Sequence, residues 1–121
     1  MSLVLMAAAL AMQPVGITVE GERGLPDIGF RELVAGQPDQ AIARIEANTG
    51  VTADDPAALI NRGTALARLG KRNEARSSYL AAVSSRQRYY LQLADGTWVD
   101  SRAAARLAVQ NLETGQILAL R

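Results

Sequence analysis

The sequence predicts a mainly α fold: antiparallel helix-turn-helix pairs followed by a β-hairpin and a capping helix. Three observations lead there. Gly29, Gly36, Ala41 and Ile45 recur as Gly63, Gly70, Ala75 and Tyr79, all at an offset of 34 residues. The loops within the two pairs are very short, "GQ" and "GKR", and short loops give antiparallel neighbours. Later, "YYLQLADGTWVDS" places two short strand-like runs around Asp95-Gly96, which is a hairpin pattern.

Taken in order, the first segment is apolar from Leu3 to Met12 and carries the small-x-small pattern Ala9-Leu10-Ala11. It is too short to cross a bilayer and reads as a signal peptide spanning 1–11. The mature chain would then lack a membrane span and work in the periplasm. No Lys or Arg precedes the apolar run, so a first helix packed in the core, in a cytoplasmic protein, is the competing reading. Residues 12–24 form a linker rich in Gly and Pro, with "ITVE" as a possible extended piece. Two helix pairs occupy 25–86. Asp27 to Ala35 is a helix capped by Asp27 and followed by Gly36. Pro38 to Asn48 follows, with Pro38 in the first turn. Asp55 caps Pro56 to Leu69, which closes at Gly70, and Asn73 to Ser84 completes the second pair. Hairpin and capping helix fill 87–121. The helix spans Arg102 to Glu113, with Gly115 as its stop.

The hairpin has two possible registers. A two-residue Asp95-Gly96 loop pairs Leu93 with Trp98, whereas a three-residue loop with Gly96 as the bulge pairs Leu93 with Thr97. If Trp98 is buried beside Leu91 and Leu93, the hairpin is a plug. If Trp98 is exposed, the hairpin is a candidate contact surface.

Composition narrows the chemistry. The 121 residues carry 13 basic and 12 acidic side chains, a balance that favours neither nucleic acid nor an anionic surface. "SSRQR" beside Tyr89 and Tyr90 is too small a basic patch to change that. With no cysteine there are no disulfides, thiolate nucleophiles or cysteine zinc sites, and with no histidine the commonest general base and metal ligand are missing. Asp54-Asp55 reads as a turn and N-cap. The chain is expected to be non-enzymatic and to need neither cofactor nor metal.

The duplicated positions carry a physical message. Gly29 and Gly63 read as mid-helix glycines, tolerated at a cost of about 1 kcal/mol each where another backbone comes close. Ala41 and Ala75 are small on the facing helix, and Ile45 and Tyr79 fill the space one turn on. Leu59-x-x-Arg62-Gly63-x-x-Leu66 followed by Ala75-x-x-x-Tyr79 and Ala82 resembles the tetratricopeptide repeat, a 34-residue helix-turn-helix unit. Leu25-x-x-Ile28-Gly29-x-x-Glu32 with Ala41-x-x-x-Ile45 is a weaker first copy. The resemblance covers Leu25 to Val83. Arg62 and the missing closing proline depart from the pattern. The resemblance implies a stack whose concave face binds a protein or peptide. That face maps to Phe30, Leu33 and Val34 in the first copy and to Ile60, Thr64, Ala67 and Arg68 in the second. Only two repeats line it, so the N-terminal linker or the C-terminal helix could fill it instead. Asn61 matches one place of the family's carboxylate clamp. The equivalent first-copy places are Pro26 and Phe30, which cannot serve, so no clamp is expected and Asn61 reads as a helix-surface residue. The alternative function is self-assembly into a structural homo-oligomer through hairpin edges or repeat ends.

Overall fold

A computed structural model describes residues 16–20, 28–48 and 50–119. The elements in chain order are β1 (Val19–Glu20), α1 (Phe30–Val34), α2 (Pro38–Ala47), α3 (Pro56–Arg68), α4 (Arg72–Val83), β2 (Tyr90–Leu93), β3 (Trp98–Asp100) and α5 (Ser101–Ala119). The protein is mainly helical with one small antiparallel sheet, ordered β1-β2-β3. The expected signal segment 1–11 and the Asp27 cap lie outside the described residues.

Short-range chemistry sets the helix ends. Asp55 accepts a hydrogen bond from the Ala58 amide at 2.9 Å, and Pro56 takes the first turn of α3, where its missing N–H costs nothing. The α1–α2 and α3–α4 loops close with the same bonds 34 residues apart. Gly36 N donates to Leu33 O and Gln37 N to Glu32 O; Gly70 N donates to Ala67 O and Lys71 N to Leu66 O. Both glycines take positive φ, 74° and 78°. This is the Schellman arrangement, which satisfies the last helical carbonyls and needs glycine at the left-handed position.

Two element boundaries correct the sequence reading. Helix α1 starts at Phe30, so Gly29 is its N-cap at φ 80° and not a mid-helix residue. The close approach expected there is real: a Cβ on Gly29 would sit 3.1 Å from Ala41 O and 3.2 Å from Ala41 Cβ. Helix α5 continues through Gly115 to Ala119, so Gly115 is not a stop. A helix already anchored along its length carries one interior glycine at a cost of only about 1 kcal/mol.

Most of the core is one cluster. Val19, Ile28, Ile60, Tyr79, Ala82, Leu91, Ala104, Ala105 and Ala108 are buried in it, and Ile45, Leu93 and Val99 pack against it. Alanines at 104, 105 and 108 let α5 lie close on α3 and α4. A satellite of Leu33, Ala41 and Ala65, with Ile42 beside it, joins α1 and α2 to α3.

The hairpin adopts the three-residue register. Leu93 N donates to Thr97 O at 2.8 Å, Gly96 N to Leu93 O at 2.9 Å, and Gly96 has φ 90°. Gln92 therefore lies opposite Trp98, and Leu91 opposite Val99. Leu91 faces the core and Trp98 faces out. At the hairpin base the Tyr89 hydroxyl donates to Asp55 Oδ1 at 2.5 Å, tying the sheet to the start of α3.

Candidate functional site

The largest departure from the sequence reading is on the inner face of α3. "ITVE" is not part of a passive linker. Val19 and Glu20 pair with Leu93 and Gln92, making β1 the third strand of the sheet. Residues 17–19 are buried, Val19 completely. The helix under them supplies the grip. Asn61 Oδ1 accepts from Val19 N at 2.8 Å, and Asn61 Nδ2 donates to Val19 O at 2.8 Å and to Ile28 O at 3.0 Å. A side-chain amide that donates to and accepts from one residue's backbone mimics a neighbouring β-strand. Its planar amide has the donor–acceptor spacing that an extended peptide presents.

Thr64, one turn along, donates its hydroxyl to Ile17 O at 2.5 Å and shares a 2.7 Å hydrogen bond with the Tyr79 hydroxyl. Tyr79 is 1% exposed, and burial pushes its phenol up to about 12, with the Thr64 hydrogen bond pulling the other way. It is therefore a neutral donor or acceptor across the physiological range. Gly63 lies under this ring: a Cβ there would be 2.6 Å from Tyr79 Cδ1 and Cε1. Gly63 is thus required by a side chain and not by the close backbone that the sequence pattern suggests. At the upper end, Arg68 Nη1 donates to Leu33 O at 2.6 Å, placing a cation at the C-terminal turn of α1. Partial burial lowers the Arg68 pKa.

The residues expected on a concave binding face are therefore divided. Leu33, Ile60 and Thr64 are fully buried, Phe30 and Arg68 are half-buried, and Val34 is exposed. The chain's own segment 16–19 lies over Asn61 and Thr64, the covering arrangement that the sequence left open. Asn61 is not the surface residue that the sequence suggests: it is 0% exposed and holds three backbone groups. The signal was present in its match to a ligand-gripping position. The clamp's other members are missing, so the match by itself does not imply burial.

A second surface lies on the outer side of the sheet. Tyr90 is 68% exposed and Trp98 58%, on adjacent strands around Gln92. Arg88 donates through Nε to Asp100 Oδ1 at 2.8 Å at the edge of this patch. That hydrogen bond holds the Asp100 carboxyl below the usual carboxylate range and raises Arg88. Exposed aromatics side by side on a strand pair are costly to hydrate and are enriched where proteins meet.

A shallow depression of about 410 Å³ lies between α3 and α4, with Leu59 and Arg62 on one wall and Glu74 and Ser77 on the other. Arg62 reaches Glu46 at 4.0 Å. Among the described residues no three acidic side chains converge to hold a metal, and no helix is long and apolar enough to cross a membrane.

Compared with known proteins, the chain matches no family model, no curated protein and no solved structure.

Proposed function

We propose that the protein is a non-catalytic interaction module of the tetratricopeptide-repeat type, which binds a protein or peptide segment on the inner face of α3. One observation carries the reading. Asn61 is buried and bonds the backbone of the chain's own segment at Val19 in both directions, so this face holds an extended strand by its main chain. The two helix-pair loops with identical bonding at a 34-residue offset support the repeat assignment. The missing His and Cys support a role without chemistry. The exposed Tyr90–Trp98 face is a second contact surface of the same module.

The test is selection of a random peptide library on the immobilised full chain. Extended sequences should be enriched, and Asn61→Ala should lose them. No enrichment, together with sizing that shows only inert monomer, overturns the proposal. An exported role in the periplasm accompanies it, and N-terminal sequencing of the protein from its host checks that.

A self-assembling envelope protein is the second reading. The observation favouring it is the outer edge of β3, next to Trp98, which pairs with no further strand among the described residues.

A further inference from the structure

The outer face of the sheet has a shape and polarity that define a ligand class. We infer that it seats a proline-rich segment of another protein, in the polyproline II conformation, between Tyr90 and Trp98. The inference rests on the reading of this face as a second contact surface and adds the partner's chemical class. It is independent of the inner face of α3.

Side chains of β2 and β3 alternate between core and solvent. Leu91 and Val99 pack on the core, so Tyr90, Gln92, Trp98 and Asp100 share the outer face. Tyr90 lies opposite Asp100 and Gln92 opposite Trp98, which puts the two aromatic residues on a diagonal of the strand pair. Backbone positions on such a diagonal are about 7–8 Å apart. Two carbon contacts of about 3.5–4.0 Å span that distance with one layer of atoms between them. A proline ring is such a layer, and aromatic-lined slots are a recurrent seat for proline-rich segments.

Polarity, charge and size select the same occupant. Neither the Tyr90 hydroxyl nor the Trp98 indole N–H has a hydrogen-bond partner among the described residues, so the face offers donors. A polyproline II segment brings the complement: its carbonyls make no internal hydrogen bonds and its prolines have no N–H. Arg88 gives two hydrogen bonds to Asp100, at 2.8 and 3.3 Å, so the charges beside the slot neutralise each other and call for no anionic ligand. With four residues in β2 and three strands in the sheet, the face measures about 13 Å by 10 Å. That is far below the roughly 800 Å² that each partner of a stable folded complex buries. It matches about four residues of polyproline II at about 3.1 Å each. A stiff segment also loses little conformational freedom on binding, which suits so small a contact.

Trp98 is the sole tryptophan and reports occupancy directly. The probe is acetylated, amidated decaproline, added to the full-length protein. Trp98 emission should shift to the blue and saturate, with half-saturation below about 1 mM. A flexible Gly-Ser decamer should give no shift. Fluorescein-labelled decaproline, read by polarisation, should bind Tyr90→Ala and Trp98→Ala at least about 10-fold more weakly than wild type. Tyr90→Phe should lose about 2- to 10-fold, the share of one hydroxyl hydrogen bond. Leu107→Ala, which removes an exposed apolar side chain from α5, should bind as wild type. If Tyr90→Ala does not fold, the indole N–H resonance of the wild-type protein decides: it should move with decaproline and stay in place with the Gly-Ser peptide. No saturable binding at about 1 mM decaproline overturns the inference, as does wild-type affinity in both ring variants. A blue shift that follows protein concentration without peptide assigns the face to a second copy and overturns it too. These failures are separable from failure of the module reading, which stands as long as library peptides depend on Asn61.

Discussion

Asn61 holds three backbone groups of two separate segments with one buried side chain. Replacing it with alanine leaves Val19 N–H, Val19 C=O and Ile28 C=O without their partner in a buried site. Each stranded group costs about 1–3 kcal/mol, not additively, so Asn61→Ala should lower unfolding stability by about 3–5 kcal/mol in a urea titration. Gly63 tests packing against propensity. Alanine would gain about 1 kcal/mol as a helix former, yet its Cβ would press on the Tyr79 ring. Gly63→Ala should therefore be destabilising by about 1–3 kcal/mol. Tyr79 sets the alkaline limit. Its folded pKa, about 12, lies above the ordinary value of 10.0. Its contribution is therefore complete below 10.0 and is lost as pH rises from there toward 12. Unfolding followed by circular dichroism should show stability falling steeply in that window, and Tyr79→Phe should flatten the fall.

At the scale of elements, the hairpin packs one face on the core and leaves Tyr90 and Trp98 exposed on the other. An isolated hairpin is marginal in water, and this one is held because Leu91, Leu93 and Val99 join the core. Its outer residues carry no such duty. Trp98→Ala should change stability by no more than about 0.5 kcal/mol. The fluorescence of this sole tryptophan should report a solvated indole and shift to the blue when a partner covers it. Helix α5 offers a cleaner test of its own continuity. With Gly115 inside the helix, Gly115→Ala should stabilise the protein by about 0.5–1 kcal/mol; a helix ending there would lose stability instead.

The whole molecule is organised by one shared core. Val19 from β1, Ile60 from α3, Tyr79 from α4, Leu91 from β2 and Ala104 from α5 meet in a single cluster. Elements that share so many partners unfold together, so circular dichroism and Trp98 fluorescence should give coincident transitions. The ion pair between Arg76 and Glu113, at 3.1 Å, also joins α4 to α5, but both groups are half-exposed and contribute at most about 1 kcal/mol. Assembly is a question for this scale too. Light scattering over a concentration series should show monomer if the exposed aromatic face awaits a different protein. A mass that rises with concentration and falls back in Trp98→Ala would favour the envelope-protein reading.

The sequence by itself determined the helices from Pro38 to Val83, the hairpin and the two glycine turns. Those depend on neighbours a few residues apart: a proline at a first turn, an aspartate cap, a glycine free to take positive φ. It also placed the small residues at 29, 41 and 63 where something comes close. Only the tertiary structure decided what comes close at Gly63, which is a tyrosine ring. It alone decided that Gly96 makes a bulge and turns Trp98 outward, because burying Leu91 and Leu93 fixes the face and the loop length then fixes the partner. It alone moved Asn61 from surface to core, since that depends on a segment 42 residues away in sequence choosing its helix. A local pattern cannot encode which strand fills a groove. That choice is made by buried hydrogen bonds and apolar contacts that exist only once the chain has closed on itself.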